Sequence, residues 1–311
     1  MMQRVAMVGL GQMGSAMAAR LAQSGCHVRG WDVDVAARTR AAGMGLQVAE
    51  TLRQALAQCD AVLTSLPDAR AVRAAWLEEG GIVASAEPSS VCIDLSTIEP
   101  GVMVEVAQGA AARGLAVLDC PVSGGPVEAR AGTLVMMVGG HAATVARMEP
   151  VLKRLGGTLC HTGDVGTAKV VKIVNNMMAM GNLLVACEAF SLGVTAGVDA
   201  ATLFAVLAES GGTSRTFTKR FPHALKNDFD PRFKMELGEK DLALGVALGR
   251  AQQVPLPAAS LVREMFGLAL LQGHAGRDVV ALLAMYQDWA LKAQARRDAV
   301  APAAAQNAYG G

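Results

Sequence analysis

The chain has almost no net charge to offer a polyanion. Lys and Arg total 28 against 27 Asp and Glu, a formal balance of +1 over 311 residues. Nucleic acid and anionic membranes select clustered Lys and Arg, so neither is expected as a partner; small neutral or singly charged ligands fit better. Paired cysteines are missing as well. Cys26, Cys59, Cys92, Cys120, Cys160 and Cys187 show no CxxC spacing, which reads as reduced thiols packed as small hydrophobes in a cytoplasmic protein. The histidines are scattered, and only Cys160 with His161 could begin a metal site, without companions at ligand spacing, so no metal is expected. No uninterrupted apolar run reaches the roughly 18 to 20 residues that a bilayer requires, since the stretch after Ile173 is broken by Asn175, Asn176 and Asn182. Val5 to Ala19 carries no charge, but its glycines and the single preceding Arg4 fit a strand and turn better than a signal peptide.

What is present is alternation. In the first half RVAMV, HVRGW, AVLTSL, VCIDL, LAVLD and TLVMMV read as strands, separated by helical segments such as DVAARTRAA and PGVMVEVAQGAAARG. That pattern predicts βαβ units and a mainly parallel sheet. From about residue 165 the strand signals stop and helices follow: Thr167 to about Ala196, Ala200 to Glu209, Thr216 to Leu225, Gly238 to Gln253, Pro257 to Gln272 and Arg277 to Ala293. The expected fold is therefore α/β: a Rossmann-like dinucleotide-binding domain over 1–164 and an all-α domain over 165–296, joined by a long interdomain helix whose first turns line a cleft. The small, polar stretch 297–311 reads as a flexible tail.

Directly after the first strand, Gly9-Leu10-Gly11-Gln12-Met13-Gly14 opens a helix. In such a loop the first glycine permits the tight turn, the second lets backbone approach a pyrophosphate, and the third lets helix and strand pack closely. Asp32 ends the second strand 18 residues after Gly14, where a carboxylate can accept from the ribose hydroxyls of the cofactor, although it could instead cap the next helix, as Asp34 could. A carboxylate there opposes a 2′-phosphate, because two like charges about 4 Å apart cost about 4 kcal/mol at an effective dielectric of about 20. NAD is thus favoured over NADP unless Arg38 or Arg40 compensates. Leu66-Pro67 and Ser96-Thr97 end two further strands, where open parallel sheets bind ligands, and Ser96 could equally cap the helix that follows. Ser123-Gly124-Gly125 exposes a hydroxyl and backbone N–H groups suited to a carboxylate, or makes a plain tight turn.

Lys172 and Asn176 lie four apart in an apolar helical segment, hence on one face, where both can point at one small molecule. A buried lysine is costly without a partner; the alternative is that Lys172 snorkels to solvent. Lys169 is a rival three residues earlier, but its own neighbour four residues on is Ile173, which cannot orient a substrate.

GLGQMG, DLSTIEPG, DCPVSGG followed by AGTLVMMVGG, KIVNN and FKMELGEKDLALG occur in an order and spacing that resemble the β-hydroxyacid dehydrogenases, over about residues 3 to 292. That 6-phosphogluconate dehydrogenase-like group includes 3-hydroxyisobutyrate dehydrogenase and tartronate semialdehyde reductase. The resemblance implies that Lys172 is the catalytic lysine, that Asn176 holds the substrate beside it, and that Ser123, Gly124 and Gly125 take the substrate carboxylate. It further implies a cofactor contact at Thr97, a lysine near the nicotinamide at Lys240, and a homodimer or homotetramer. Ala168 stands where members often have glycine, which bears on substrate size rather than on the reaction. Arg215 could pair with a second carboxylate, as a tartronate-like substrate would require, or simply face solvent. Imine reductases and non-catalytic relatives share the architecture, but both are expected to lose the lysine.

Overall fold

The structure, a computed structural model, describes the backbone of residues 3–307 and the side chains of residues 3–296. Among the described residues nine strands form one sheet: β1 (Arg4–Val8), β2 (His27–Trp31), β3 (Gln47–Val48), β4 (Ala61–Thr64), β5 (Val91–Asp94), β6 (Ala116–Asp119), β7 (Val122–Ser123), β8 (Leu134–Gly139) and β9 (Gly156–Gly163). Their order is β3-β2-β1-β4-β5-β6-β8-β7, with β9 also on β8. The pairs from β3 through β6 are parallel, whereas β8 runs antiparallel to β6 and β7 and parallel to β9. Every residue of β4 and β5 is buried, which is why these strands read as unbroken apolar runs. Side chains alternate between faces. Val5 and Met7 of β1 pack with the helices Gln12–Gln23 and Ala142–Leu155, while Ala6 and Val8 pack with the helices Ala69–Leu77 and Pro100–Ala111 on the other side.

Sequence reading misses β3, β7 and β9. The first two are only two residues long. β9 begins and ends in glycine, and half of its residues are exposed, so it carries no apolar alternation. Because β9 faces outward, Cys160 is exposed while the other five cysteines are buried, a correction to the expectation that all six pack as hydrophobes. Strand order reverses between β1 and β4, the place in an open parallel sheet where the carboxyl ends of strands diverge and leave a crevice.

The chain divides into two compact units, 1–174 and 175–311. Thr167–Thr195 forms one continuous helix across that division. With a mean hydropathy of 1.5 it is long and apolar enough, by length and composition alone, to cross a bilayer. Part of it is committed to protein interiors: Lys169 and Ile173 are buried in the first unit, and Leu183, Leu184, Cys187 and Phe190 in the core of the second. In that second core Phe190 meets Phe221 at 5.1 Å and Phe217 meets Phe221 at 4.3 Å between ring centres. The helices Ala200–Glu209, Arg215–Ala224, Met235–Ala251 and Pro257–Ala269 complete most of it. Buried Asp278 accepts from Arg220 at 2.7 Å and from the backbone N–H groups of Arg232, Phe233 and Val280, and so caps a short turn before the last helix. That helix, Leu282–Asn307, continues through much of the stretch read as a tail, whose last residues, 308–311, lie outside the described ones.

Candidate active site

The three glycines after β1 behave differently, and the difference is informative. A Cβ on Gly9, whose φ is +92°, would collide with the carbonyl oxygen of Ser65; one on Gly14 would collide with the carbonyl oxygen of Gly9. A Cβ on Gly11 meets nothing within 4 Å. Two glycines are therefore demanded by the fold and the third is not. Gly11 is the N-cap of the helix Gln12–Gln23, and the first N–H groups of a helix have no intrahelical acceptor, the general geometry that receives a phosphate. Leu10 and Gly14 are buried, while Gln12 is exposed and Met13 half-buried.

Asp32 is fixed to this loop. Its Oδ2 accepts the Leu10 N–H at 2.6 Å and its Oδ1 the Asp34 N–H at 2.8 Å, and further lone pairs remain for ligand hydroxyls. The helix-cap alternative for Asp32 fails, because Asp34 caps Val35–Gly43 through the N–H groups of Ala36 and Ala37. Arg38 donates to the Asp32 carbonyl at 2.7 Å, and Arg40 pairs with Asp34 at 3.7 Å.

At the ends of β4 and β5 the structure joins Leu66 to Ser96. The Leu66 N–H donates to Ser96 Oγ at 2.9 Å, and that hydroxyl in turn donates to Asp94 Oδ2 at 2.9 Å. Ser96 thus does not cap the following helix, where Glu99 occupies the cap position. Pro67 is exposed and Thr97 half-buried beside these residues. Lys169, fully buried, places its Nζ 2.7 Å from Asp94 Oδ1, 3.0 Å from the Asp94 carbonyl and 2.7 Å from the Ser96 carbonyl. All three ammonium protons are spent, so this lysine cannot serve a substrate. Asp119 accepts the N–H groups of Gly166 at 2.9 Å and Lys169 at 3.1 Å, which anchors the start of the long helix to β6. Burial pushes the Asp119 carboxyl above its usual range, opposed by the Lys169 charge and those two N–H groups.

The Ser123 loop departs from expectation at one atom. Ser123 belongs to β7, opposite Val135, and Gly124 adopts φ +131°. The Gly125 N–H, expected to be exposed, donates to Glu128 Oε2 at 2.6 Å, because Gly125 caps the short helix Pro126–Ala131 and Glu128 reaches back to it. A ligand carboxylate at that N–H would first have to displace Glu128.

Lys172 is half-buried one helical turn before Asn176, which is buried. In the second unit the Asn176 amide is held from two sides: its Nδ2 donates to Asp241 Oδ2 at 2.5 Å, and its Oδ1 accepts from Asn175 at 2.9 Å. A carboxylate is acceptor-only when ionised, so Asp241 fixes which end of the amide faces it. Lys240 Nζ lies 3.0 Å from Asp241 Oδ1. Arg215 is exposed at the first position of its helix. Sequence reasoning passed over Asp94, Asp119 and Asp241, although each sits inside a quoted motif; the available signal was a charged residue within or ending an apolar buried stretch.

Residues 4–165 match the family model described as the NAD binding domain of 6-phosphogluconate dehydrogenase. Residues 166–286 match that described as NAD-binding of NADP-dependent 3-hydroxyisobutyrate dehydrogenase. The chain is 36% identical to 3-hydroxyisobutyrate dehydrogenase of Pseudomonas aeruginosa, covering 92% of this chain and 99% of that one. It is 32% identical to 2-(hydroxymethyl)glutarate dehydrogenase of Eubacterium barkeri, over 91% of this chain and 95% of that one. Among solved structures, Mycobacterium tuberculosis 3-hydroxyisobutyrate dehydrogenase with L-serine superposes with a TM-score of 0.84 at 34% identity, over 92% of this chain and 99% of that one.

Proposed function

Because the chain belongs to the β-hydroxyacid dehydrogenase family, we propose that it interconverts a small 3-hydroxycarboxylate and its semialdehyde by hydride transfer, with NAD favoured over NADP. The substrate class is that of 3-hydroxyisobutyrate and tartronate semialdehyde. The observation that carries the catalytic assignment is the burial of Lys169 against Asp94, which removes the rival base and leaves Lys172 on the helix face it shares with Asn176.

The glycine turn fits a dinucleotide, since only Gly11 opens onto free space. Gly9 to Gly14 would hold its pyrophosphate, Asp32 its ribose hydroxyls, and Leu66, Pro67, Thr97 and Lys240 its nicotinamide half. When bound, the nicotinamide supplies the hydride acceptor or donor. Asp32 supports NAD because its charge opposes a 2′-phosphate; of the two nearby arginines, Arg38 spends one N–H on the Asp32 carbonyl and Arg40 lies 3.7 Å from Asp34. Ser123 and Gly124 hold the substrate carboxylate. Lys172 Nζ takes the hydroxyl proton in oxidation and returns it in reduction, and Asn176 offers its second amide hydrogen to the substrate oxygen. Because Asp241 takes the first of those hydrogens, the amide meets the substrate as a donor.

Lys172→Ala is the test. Turnover of 3-hydroxyisobutyrate or tartronate semialdehyde should fall by about 10²- to 10⁴-fold, the usual worth of general acid–base catalysis, while NADH binding persists. A variant that keeps more than about a tenth of wild-type kcat removes Lys172 from this role.

A further inference from the structure

The buried Lys169 is not needed for the chemistry just described, yet the fold spends an ion pair on it. Both side chains are fully buried. Such a pair is rarely worth more to stability than apolar residues of the same volume, because the desolvation of two charges offsets their attraction. Its value must lie in what it fixes. Lys169 Nζ reaches Asp94 Oδ1 and the carbonyls of Asp94 and Ser96, three acceptors at the carboxyl end of β5. Asp94 Oδ2 accepts from Thr64 at the end of β4 at 2.5 Å, and Trp76 Nε1 donates to that same Thr64 hydroxyl at 3.2 Å. Ser96 Oγ, held by Asp94, takes the N–H of Leu66. One lysine therefore ties together the loop after β4, the loop after β5 and the first turn of the Thr167–Thr195 helix, and the next turn of that helix carries Lys172.

We propose that Lys169 is a positioning residue: through Asp94 and Ser96 it locks the two strand-end loops on the nicotinamide side of the sheet to the helix that presents Lys172. This rests on the functional reading above for what Lys172 does, but not for the lock itself. The geometry requires an ammonium group. An apolar side chain would fill the space yet satisfy none of the three acceptors, and the loops would be free to shift relative to the helix. Misplacement of about 1 Å at a reacting centre costs on the order of 10²-fold in rate even where binding survives.

The test compares wild type with Lys169→Met and with the charge-neutral double variant Lys169→Met/Asp94→Asn, the latter guarding against misfolding caused by a lone buried carboxylate. Two readouts are taken on the full-length protein. Amide hydrogen exchange should rise in peptides spanning 64–68 and 94–98 in both variants. In turnover of 3-hydroxyisobutyrate or tartronate semialdehyde, kcat should fall at least about tenfold with KM for the dinucleotide within about threefold, and the isotope effect with NADH deuterated at C4 should grow as hydride transfer becomes limiting. A residue that merely supports the fold would lower the melting temperature without moving the isotope effect. A folded double variant with unchanged exchange in both loops overturns the lock. Loosened loops with wild-type kcat and isotope effect overturn its part in positioning. If wild type turns over neither substrate, the functional reading fails by itself; the lock is then decided by exchange alone, which it predicts to rise at 64–68 and 94–98 in both variants.

Discussion

Substituting alanine at Gly14 and at Gly11, three residues apart, should damage two different properties. At Gly14 the added methyl would overlap the carbonyl oxygen of Gly9, a backbone atom with no rotamer to escape into, so strand, turn or helix must move. Overpacking of this kind costs about 1–3 kcal/mol, and the rigidity of the obstacle places it at the upper end. For a unit of about 150–250 residues each kcal/mol lowers the melting temperature by about 2–4 °C, giving a loss of about 6–12 °C. At Gly11 the methyl meets nothing, and the backbone φ of −64° is one that alanine adopts without strain. Losing glycine at a helix cap and gaining stiffness in the unfolded chain nearly cancel, so stability should stay within about 0.5 kcal/mol. The same methyl would stand where a pyrophosphate must approach the backbone, so NADH should bind at least about tenfold more weakly, a loss of about 1.4 kcal/mol. Thermal unfolding and NADH fluorescence titration on the two variants provide the assay. Wild-type melting of Gly14→Ala would refute the packing argument, and wild-type NADH affinity of Gly11→Ala would show that the open space is not a phosphate site.

Asp32→Ser should shift preference toward NADPH by at least about tenfold in the ratio of kcat/KM values, since it removes a repulsion worth up to about 4 kcal/mol; an unchanged ratio would mean that this carboxylate does not face the ribose. Tyr286 titrates only at about 12, because burial disfavours the phenolate and the Glu188 charge adds to that effect. Its contribution to stability is thus present below pH about 10 and lost as pH rises toward 12. The ultraviolet difference between wild type and Tyr286→Phe should show a phenolate appearing only near that upper limit; appearance near pH 10 would contradict the burial. Exposed Met178, Val185 and Leu192 on the long helix, with Val206 and Leu261, support an oligomer built from the helical unit, and light scattering that returns a monomer mass would count against it.

The sequence made the sheet legible because β1, β4 and β5 are buried runs and the glycine turn follows a strand. Gly9 and Gly14 are demanded by close backbone approach, as their spacing suggests, while the space beside Gly11 is left open. β9 stayed hidden because an outward edge strand has no apolar code to read. The lysines were harder. Lys169 and Lys172 are indistinguishable by residue type, and only their i+4 neighbours hinted at the difference. The decisive fact, a carboxylate waiting at Asp94, depends on a pairing 75 residues away in the chain that no local pattern encodes. The charge count could have helped: two aspartates ending buried strands and a lysine in an apolar helix are three costly charges that relieve one another when brought together. The Gly125 N–H was misjudged for the opposite reason, since Glu128 three residues on is a local capping signal present in the sequence.

Cys160 stands on the outward strand β9 while Cys26, Cys59, Cys92, Cys120 and Cys187 are buried. Burial also pushes the thiols of Cys59, Cys92, Cys120 and Cys187 up, so these four are both sheltered and short of the reactive thiolate. The chain accordingly carries its own unfolding gauge. An alkylating reagent should be taken up once by the native protein and six times by the denatured one, with the fractional count between them reporting how much of a preparation, wild type or variant, has kept its interior closed.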